Sequence, residues 1–269
     1  MSHRNTLLPA LLGTSAAAIT LLTPLSAQAD HAWGNYHWAR TSNPFTVSLG
    51  DNVSSTWDSH LATASSDWSV SSVLNTTVVA GRTTGQACRA TTGRVEVCNY
   101  TYGSTGWLGV ASISLSGTHI VSGTVKLNDS YFNTSTYNTS AWRNLVTCQE
   151  VGHTFGLDHQ DENFDNANLG TCMDYTNSPA SNQHPNAHDY EELQIIYSHT
   201  DSSSTIRAAS LPPAMTQLRL DGPGQWGRVV SRYEDGNPKW YELDFGGGKR
   251  ILTHVFWVPG TEVDDSENQ

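Results

Sequence analysis

The chain has 269 residues and a formal net charge of −11, from 14 Lys and Arg against 25 Asp and Glu. This balance argues against a nucleic-acid-binding protein and against binding to anionic membrane surfaces, because both partners attract basic proteins. The length is enough for one sizeable domain with a small appendage.

The first 29 residues are predicted to be a signal peptide. An apolar stretch of small residues covers positions 6–25, and the tripeptide Ala-Gln-Ala at 27–29 has the small-x-small pattern that a signal peptidase accepts. A membrane anchor of about 20 residues is the competing interpretation, but Pro9 and Pro24 interrupt the stretch. We therefore expect a secreted, extracellular protein that begins at Asp30 and has no membrane contact after cleavage.

A helix and several strands are predicted in the first half of the chain. Apolar residues recur at helical spacing between Trp57 and Trp68, which predicts a helix over residues 54–68 with Ser54 or Ser55 as its N-cap. Strands are predicted from short runs in which β-branched residues alternate with polar ones. These runs are 45–49, 78–80, 94–97, 110–115 and 119–127.

A second helix is predicted over residues 140–155, with Ser140 as its N-cap and Trp142 and Leu145 on one face. Gly156 is expected to end this helix, because glycine accepts the left-handed conformation found at helix C-termini. The order of elements suggests an α+β domain over residues 30–200, with a twisted mixed sheet and two long helices.

The last quarter of the chain has a different pattern. Residues 201–216 have the composition of a linker, and residues 217–269 contain three strand-like runs and an acidic tail. The runs are 226–230, 240–245 and 251–257, separated by turn residues, which predicts a small antiparallel β meander. About 40 residues are marginal for an independent domain, so we expect this appendage to pack against the main domain.

Four cysteines, an even number, favour two disulfides in an exported protein. Three pairings are open, and we prefer Cys88–Cys98, which closes a local loop, together with Cys148–Cys172. A cysteine ligand for a metal is the alternative, since a thiolate binds zinc well.

The segment QEVGHTFGLDH at residues 149–159 contains candidate metal ligands. Gln149 and His153 are four residues apart and so share a helix face. Gly156 can turn the chain so that His159 returns to the same point. Two imidazoles and a third group at one point make a zinc site with an open position, and the carboxylate of Glu150 could take a proton from a metal-activated water.

This segment resembles the metzincin zinc motif His-Glu-x-x-His-x-x-Gly-x-x-His, with glutamine in place of the first histidine. The resemblance to a matrixin-type catalytic domain covers residues 31–199 and includes Met173, placed like the methionine turn that lies beneath the metal in that family. It implies one catalytic zinc with His153 and His159 as ligands and Glu150 as the general base.

The resemblance also implies a binding mode and a further site residue. The strand at 121–128 is similar to the edge strand along which a substrate peptide lies as an added strand. Tyr175, two residues after the methionine, matches the tyrosine that astacins and serralysins place near zinc. It could stabilise an oxyanion or coordinate the metal, and an ordinary core or rim aromatic is the alternative.

Gln149 decides between the possible functions. Its amide oxygen could reach the metal, but it is a poor donor for zinc, and we expect Gln149→His to raise zinc affinity. We predict a secreted, monomeric zinc endopeptidase with Gln149, His153 and His159 at the metal and Glu150 and Tyr175 as catalytic residues. The alternative is a catalytically inactive metzincin-fold protein that binds a peptide or protein partner, and chance occurrence of the motif is the third interpretation.

No set matching a second, structural zinc site is evident in the sequence. The remaining candidate histidines are scattered, and each is interpreted as a surface or hydrogen-bonded residue; they are His60, His119, His184, His188 and His199. Ca²⁺ could bind the acidic loop that contains Asp161, Glu162 and Asp165, although such loops are usually only solvated.

Overall fold

The computed structural model describes Met1, residues 31–206 and residues 210–263. The predicted signal peptide, apart from Met1, and the end of the acidic tail lie outside the described residues. None of the helices in the described part of the chain has the length and apolar composition needed to span a bilayer. Both preferred disulfides, Cys88–Cys98 and Cys148–Cys172, are present, so this pairing is confirmed.

Nine strands of the described residues form one mixed sheet; eight lie close to the runs that alternation predicted, and the two-residue β1 was not predicted. The strands are β1 (His37–Trp38), β2 (Phe45–Asn52), β3 (Leu74–Ala80), β4 (Val95–Tyr100), β5 (Trp107–Ser116), β6 (His119–Asn128), β7 (Arg228–Arg232), β8 (Pro238–Asp244) and β9 (Lys249–Trp257). Their order is β3-β2-β4-β6-β5-β9-β8-β7, with β1 paired to the start of β6. Strands β2, β3, β4 and β6 are parallel, whereas β5, β7, β8 and β9 add antiparallel pairs.

Three helices of 10 to 14 residues, rather than two long ones, accompany the sheet within the described ranges. The helices, including two of one turn, are α1 (Asp58–Trp68), α2 (Asp129–Phe132), α3 (Ser140–His153), α4 (Ala187–Ile196) and α5 (Pro213–Thr216). Helices α1 and α3 pack together, and the indole of Trp68 donates to the Cys148 carbonyl at 3.1 Å.

The predicted N-caps of both helices were wrong. Helix α1 begins at Asp58, because the Ser54 carbonyl accepts a hydrogen bond from the Trp57 amide and closes a turn before the helix. Helix α3 is capped by Thr139, whose hydroxyl oxygen accepts from the Trp142 amide at 3.2 Å. Ser140 is already the first helical residue, as expected when the capping residue has extended backbone geometry.

The strand that includes residues 121–128 is not an edge strand. It is β6, which has β4 and β1 on one side and β5 on the other. The far side of β5 is in turn covered by β9. The expectation of a substrate added along this strand is therefore wrong, because its backbone hydrogen-bonding groups are already paired.

The C-terminal meander is present as predicted and continues the main sheet through the β5–β9 pairing. Alternation along β9 divides its side chains between two cores. Leu252 and Phe256 face the core shared with the helices, whereas Ile251, Val255 and Trp257 face a second core on the opposite side of the sheet. His254 has the same parity as Leu252 and Phe256, so it points toward helix α3.

Candidate metal centre

Helix α3 and the turn after it bring His153 and His159 together. Gly156 has φ of +94°, and a Cβ at this position would collide with the carbonyl oxygen of Tyr36, so glycine is required. The Trp33 amide donates to the Gly156 carbonyl at 2.7 Å and fixes the turn. The Nε2 atoms of His153 and His159 lie 3.0 Å apart, and both rings are buried.

A third imidazole joins them from β9. His254 is fully buried, and its ring centroid lies 4.0 Å from that of His153 and 4.9 Å from that of His159. One nitrogen from each of the three rings falls within 4.8 Å of the others, a spacing at which they could hold a metal ion. The sequence analysis missed His254, because it assigned no chemistry to the meander.

Each of the three rings has an oxygen beside Nδ1. The Leu157 carbonyl lies 2.8 Å from Nδ1 of His153, and the Glu150 carboxylate lies 3.1 Å from Nδ1 of His254. The Glu162 carboxylate lies 3.4 Å from Nδ1 of His159. The oxygens beside His153 and His159 accept from Nδ1 and leave a lone pair on Nε2 of each ring, while Nε2 of His254 faces the hydroxyls of Tyr175 and Tyr233. Two Nε2 lone pairs at 3.0 Å repel each other, and a cation bound by both removes that repulsion.

Burial keeps the three histidines neutral. Desolvation lowers the pKa of His153 to about 4 and the pKa values of His159 and His254 well below the ordinary histidine value. The neighbouring imidazole of His153 and the ammonium of Lys239 lower the pKa of His159 further. A neutral imidazole is the form that coordinates a metal, so burial keeps the three rings in the form that a metal would need.

Glu150 lies beneath this cluster and is fully buried. Burial raises the pKa of its carboxyl well above the ordinary range, offset in part by the backbone of Ala111. A Cβ on Gly109 of β5 would lie 2.8 Å from the Glu150 side chain, so this glycine makes room for the helix to approach the sheet. The Oε1 atom of Glu150 has no side-chain hydrogen bond among the described residues.

Gln149 is also buried on helix α3. Its amide nitrogen donates to the carbonyl of Cys172 at 2.8 Å, which ties the helix to the segment that the Cys148–Cys172 disulfide also holds. Its Oε1 atom has no hydrogen-bond partner in the described part of the chain. Its role as a metal ligand stays a prediction, although His254 already supplies a third imidazole.

Met173 and Tyr175 lie on either side of the centre. A Cβ on Gly152 would lie 2.8 Å from the sulfur of Met173, so the methionine packs against the helix immediately before His153. The hydroxyl of Tyr175 contacts the Tyr233 hydroxyl and lies 3.2 Å from Nε2 of His254. Burial raises the pKa values of both phenols well above their ordinary value, so both keep their protons.

Of the acidic loop considered for Ca²⁺, Glu162 is paired with Lys239 of β8, whereas binding of Ca²⁺ at Asp161 and Asp165 stays a prediction. Nζ of Lys239 lies 2.9 Å from Oδ1 of Asp158 and also contacts the carboxylate of Glu162. An ammonium between these two carboxylates offsets the negative charge that would attract a cation.

A cleft of about 440 Å³ lies beside Tyr175 and Tyr233. Its wall combines aromatic and acidic side chains: Glu162, Phe164, Asp165, Glu234, Asp235 and Trp257. The two tyrosines therefore stand between this cleft and His254.

No protein-family model matches the chain, and no curated protein matches it at a significant level.

Proposed function

We propose that the protein is an extracellular zinc-dependent endopeptidase whose metal is held by His153, His159 and His254. The observation that carries the proposal is the shared orientation of the three buried rings, each with an oxygen beside Nδ1. Metal-binding histidines nearly always donate the other ring N–H to an oxygen in this way. Two disulfides are consistent with an oxidising compartment.

The donor set fits zinc. Zinc favours imidazole nitrogen, and hydrolytic zinc sites keep three protein ligands and one open position. When bound, the metal would polarise a carbonyl group and lower the pKa of a water molecule. The resemblance to the metzincin motif supports the same conclusion, with His254 supplying the imidazole that Gln149 lacks.

Glu150 is the proposed general base. One carboxylate oxygen of Glu150 lies 3.1 Å from Nδ1 of His254. The other has no side-chain hydrogen-bond partner among the described residues and is available to accept a proton. The raised pKa of this buried carboxyl favours the proton-bound form that the reaction would produce. Glu150 would therefore both orient a ligand and take up the proton.

Tyr175 and Tyr233 are proposed to face the reacting carbonyl. Both hydroxyls are protonated, lie next to His254 and border the cleft. Protonated donors at fixed positions stabilise the negative charge that develops on a carbonyl oxygen during hydrolysis. The acidic cleft wall favours peptides with basic and aromatic side chains.

The test uses two fluorogenic peptides that differ only in having arginine or glutamate beside the scissile bond. We expect the full-length protein to cleave the arginine peptide faster, with activity lost on chelation and restored by zinc. Glu150→Gln should lower kcat about 1000-fold, yet retain zinc, because the glutamine carbonyl can still accept from His254. Glu191→Gln, an exposed substitution on α4, is the matched control.

Cleavage that survives chelation or Glu150→Gln unchanged would overturn the proposal. Zinc binding and peptide binding without cleavage would favour the alternative function, a non-catalytic protein that holds a peptide in the cleft. Loss of zinc from Glu150→Gln would instead make Glu150 a positioning residue for His254.

A further inference from the structure

A second group of histidines shares no residue with the first. His37 in β1 is paired in register with His119, the first residue of β6. The segment after α4 adds His199 and Asp201 beside them. The ring of His37 lies 5.0 Å from that of His119 and 4.6 Å from that of His199.

The donor atoms of His37, His199 and Asp201 lie close enough together to share one metal ion. Nε2 of His37 lies 3.2 Å from Nε2 of His199 and 3.5 Å from Oδ1 of Asp201. Nε2 of His199 lies 3.9 Å from the same oxygen, and Nε2 of His119 lies 3.3 Å from it. Ligands about 2.0 Å from a tetrahedral zinc are about 3.3 Å from one another.

Neighbouring groups orient two of these ligands. Nδ1 of His37 donates to the Asn35 carbonyl at 2.7 Å, which leaves the lone pair on Nε2. Oδ2 of Asp201 accepts from the backbone amide of Arg40 at 3.2 Å and from its guanidinium at 3.0 Å. The other carboxylate oxygen, Oδ1, is therefore the one that faces the imidazoles.

Arg40 also opposes the binding of a cation. Its guanidinium shares the Asp201 carboxylate and so reduces the negative charge available to a metal. Two imidazoles and one carboxylate, those of His37, His199 and Asp201, still make a donor set that suits zinc. We expect this group to bind zinc more weakly than the buried centre does.

We propose that His37, His199 and Asp201 form a second zinc site, with His119 beside the Asp201 carboxylate. The side chains of His119 and His199 are 35% and 51% exposed, so an ion can enter directly from solvent. The site would join β1, the start of β6 and the segment after α4, which are up to 164 residues apart in the sequence. It shares no residue with the first centre, and its role would be to stabilise the fold.

The test measures the zinc content and the thermal stability of the full-length protein after equilibrium dialysis. The free zinc concentration is about 10 µM, which is well above the dissociation constants of structural zinc sites. His199→Ala is the main variant, because its exposed side chain can be removed without opening the core. We expect it to bind one zinc fewer than the wild type and to lose part of the rise in Tm that zinc produces. His184→Ala is the matched control, since His184 is exposed and contacts the Asp67 carboxylate at 2.7 Å.

Equal zinc content and equal Tm shifts in the wild type and in His199→Ala would overturn the proposal. If His199→Ala does not fold, His199→Gln serves instead, with the Co²⁺ spectrum of the wild type as an independent readout of tetrahedral coordination. Absence of a second tetrahedral Co²⁺ spectrum would also overturn it, leaving a hydrogen-bonded group in which the imidazoles donate to Asp201. His254→Ala separates the two sites, because it should weaken only the binding of the buried zinc.

Discussion

The candidate metal centre is built from two regions that differ in how they position their histidines. Helix α3 and its turn provide His153 and His159 from one continuous segment, in which spacing and a single glycine fix the geometry. The meander provides His254 from the middle of β9, through strand pairing with β5 at Ala111. The first pair of histidines can be recognised from one short stretch of sequence, whereas the position of His254 depends on the complete sheet.

Under the proposed function, this difference explains how zinc could be held although glutamine stands at position 149. Gln149 replaces the first histidine of the motif, and its amide holds the Cys172 carbonyl instead. His254 enters the cluster from the opposite wall and contacts Glu150, the carboxylate next to Gln149 in the sequence. We infer that the meander completes the centre and is not only an appendage.

The largest effect is expected from removing the strand-borne ligand. His254→Ala should lower zinc affinity by about 3 kcal/mol, or about 100-fold, because one of three imidazoles is lost from a site with total binding energy of about 10 kcal/mol or more. Calorimetric titration of zinc into the metal-free protein measures this change, and His153→Ala should produce a loss of the same size.

The control for these variants is His60→Ala, which removes another buried histidine whose Nδ1 contacts Asn144 at 2.6 Å. This control should lower stability without changing zinc affinity. If His254→Ala retained wild-type zinc affinity while His153→Ala did not, His254 would not be a ligand. The meander would then have no part in the centre.

A smaller effect is expected from Tyr233→Phe, which removes one hydroxyl from the meander side of the site. This hydroxyl lies 2.9 Å from Nε2 of His254 and 2.9 Å from the Val255 carbonyl. We expect kcat to fall about 10-fold, because a fixed donor near the reacting carbonyl is lost. Zinc affinity should change much less, which calorimetry of the same variant can verify.

Tyr102→Phe provides the control for a buried tyrosine hydroxyl. The Tyr102 hydroxyl donates to the Gly85 carbonyl far from the centre, so its loss should cost about 1 kcal/mol of stability with no change in kcat. A fall in kcat of equal size in both variants would mean that Tyr233 acts through general stability alone.

The local features of the fold could be predicted from the sequence because each depends on neighbouring residues. The alternation of apolar and polar residues predicted the strands other than β1, and Gly156 marked the end of α3. In each disulfide the two cysteines are at most 24 residues apart. Helix α4 was not predicted, although Asn186 and Asp189 form a capping box at its start. That signal is short and lies in a polar stretch with weak apolar periodicity.

The long-range parts of both histidine groups could not be predicted. His254 contacts a carboxylate 104 residues away, and His37 contacts Asp201 across 164 residues. The sequence does contain one signal for His254, because it takes the place of an apolar residue between Leu252 and Phe256 on the inward face of β9. Alternation identifies such a histidine as buried, but it does not identify the residues that it meets across the sheet.

The smallest effect is expected from restoring the motif with Gln149→His. The third imidazole is already supplied by His254, so we now expect zinc affinity to change by less than about threefold, a fraction of the energy of one ligand. This expectation replaces the increase inferred from the motif alone. Calorimetry of the single variant checks it, and a large gain would mean that His254 is not an effective ligand.

The double variant sharpens the same comparison. In the His254→Ala background, Gln149→His should recover about tenfold of the lost affinity, because the side chain at 149 shares a helix face with His153. Recovery would show that the helix and the strand offer alternative positions for one ligand, of which this protein uses the strand. Without recovery, the Gln149 side chain serves only to hold the Cys172 carbonyl, and the centre depends on the meander alone for its third imidazole.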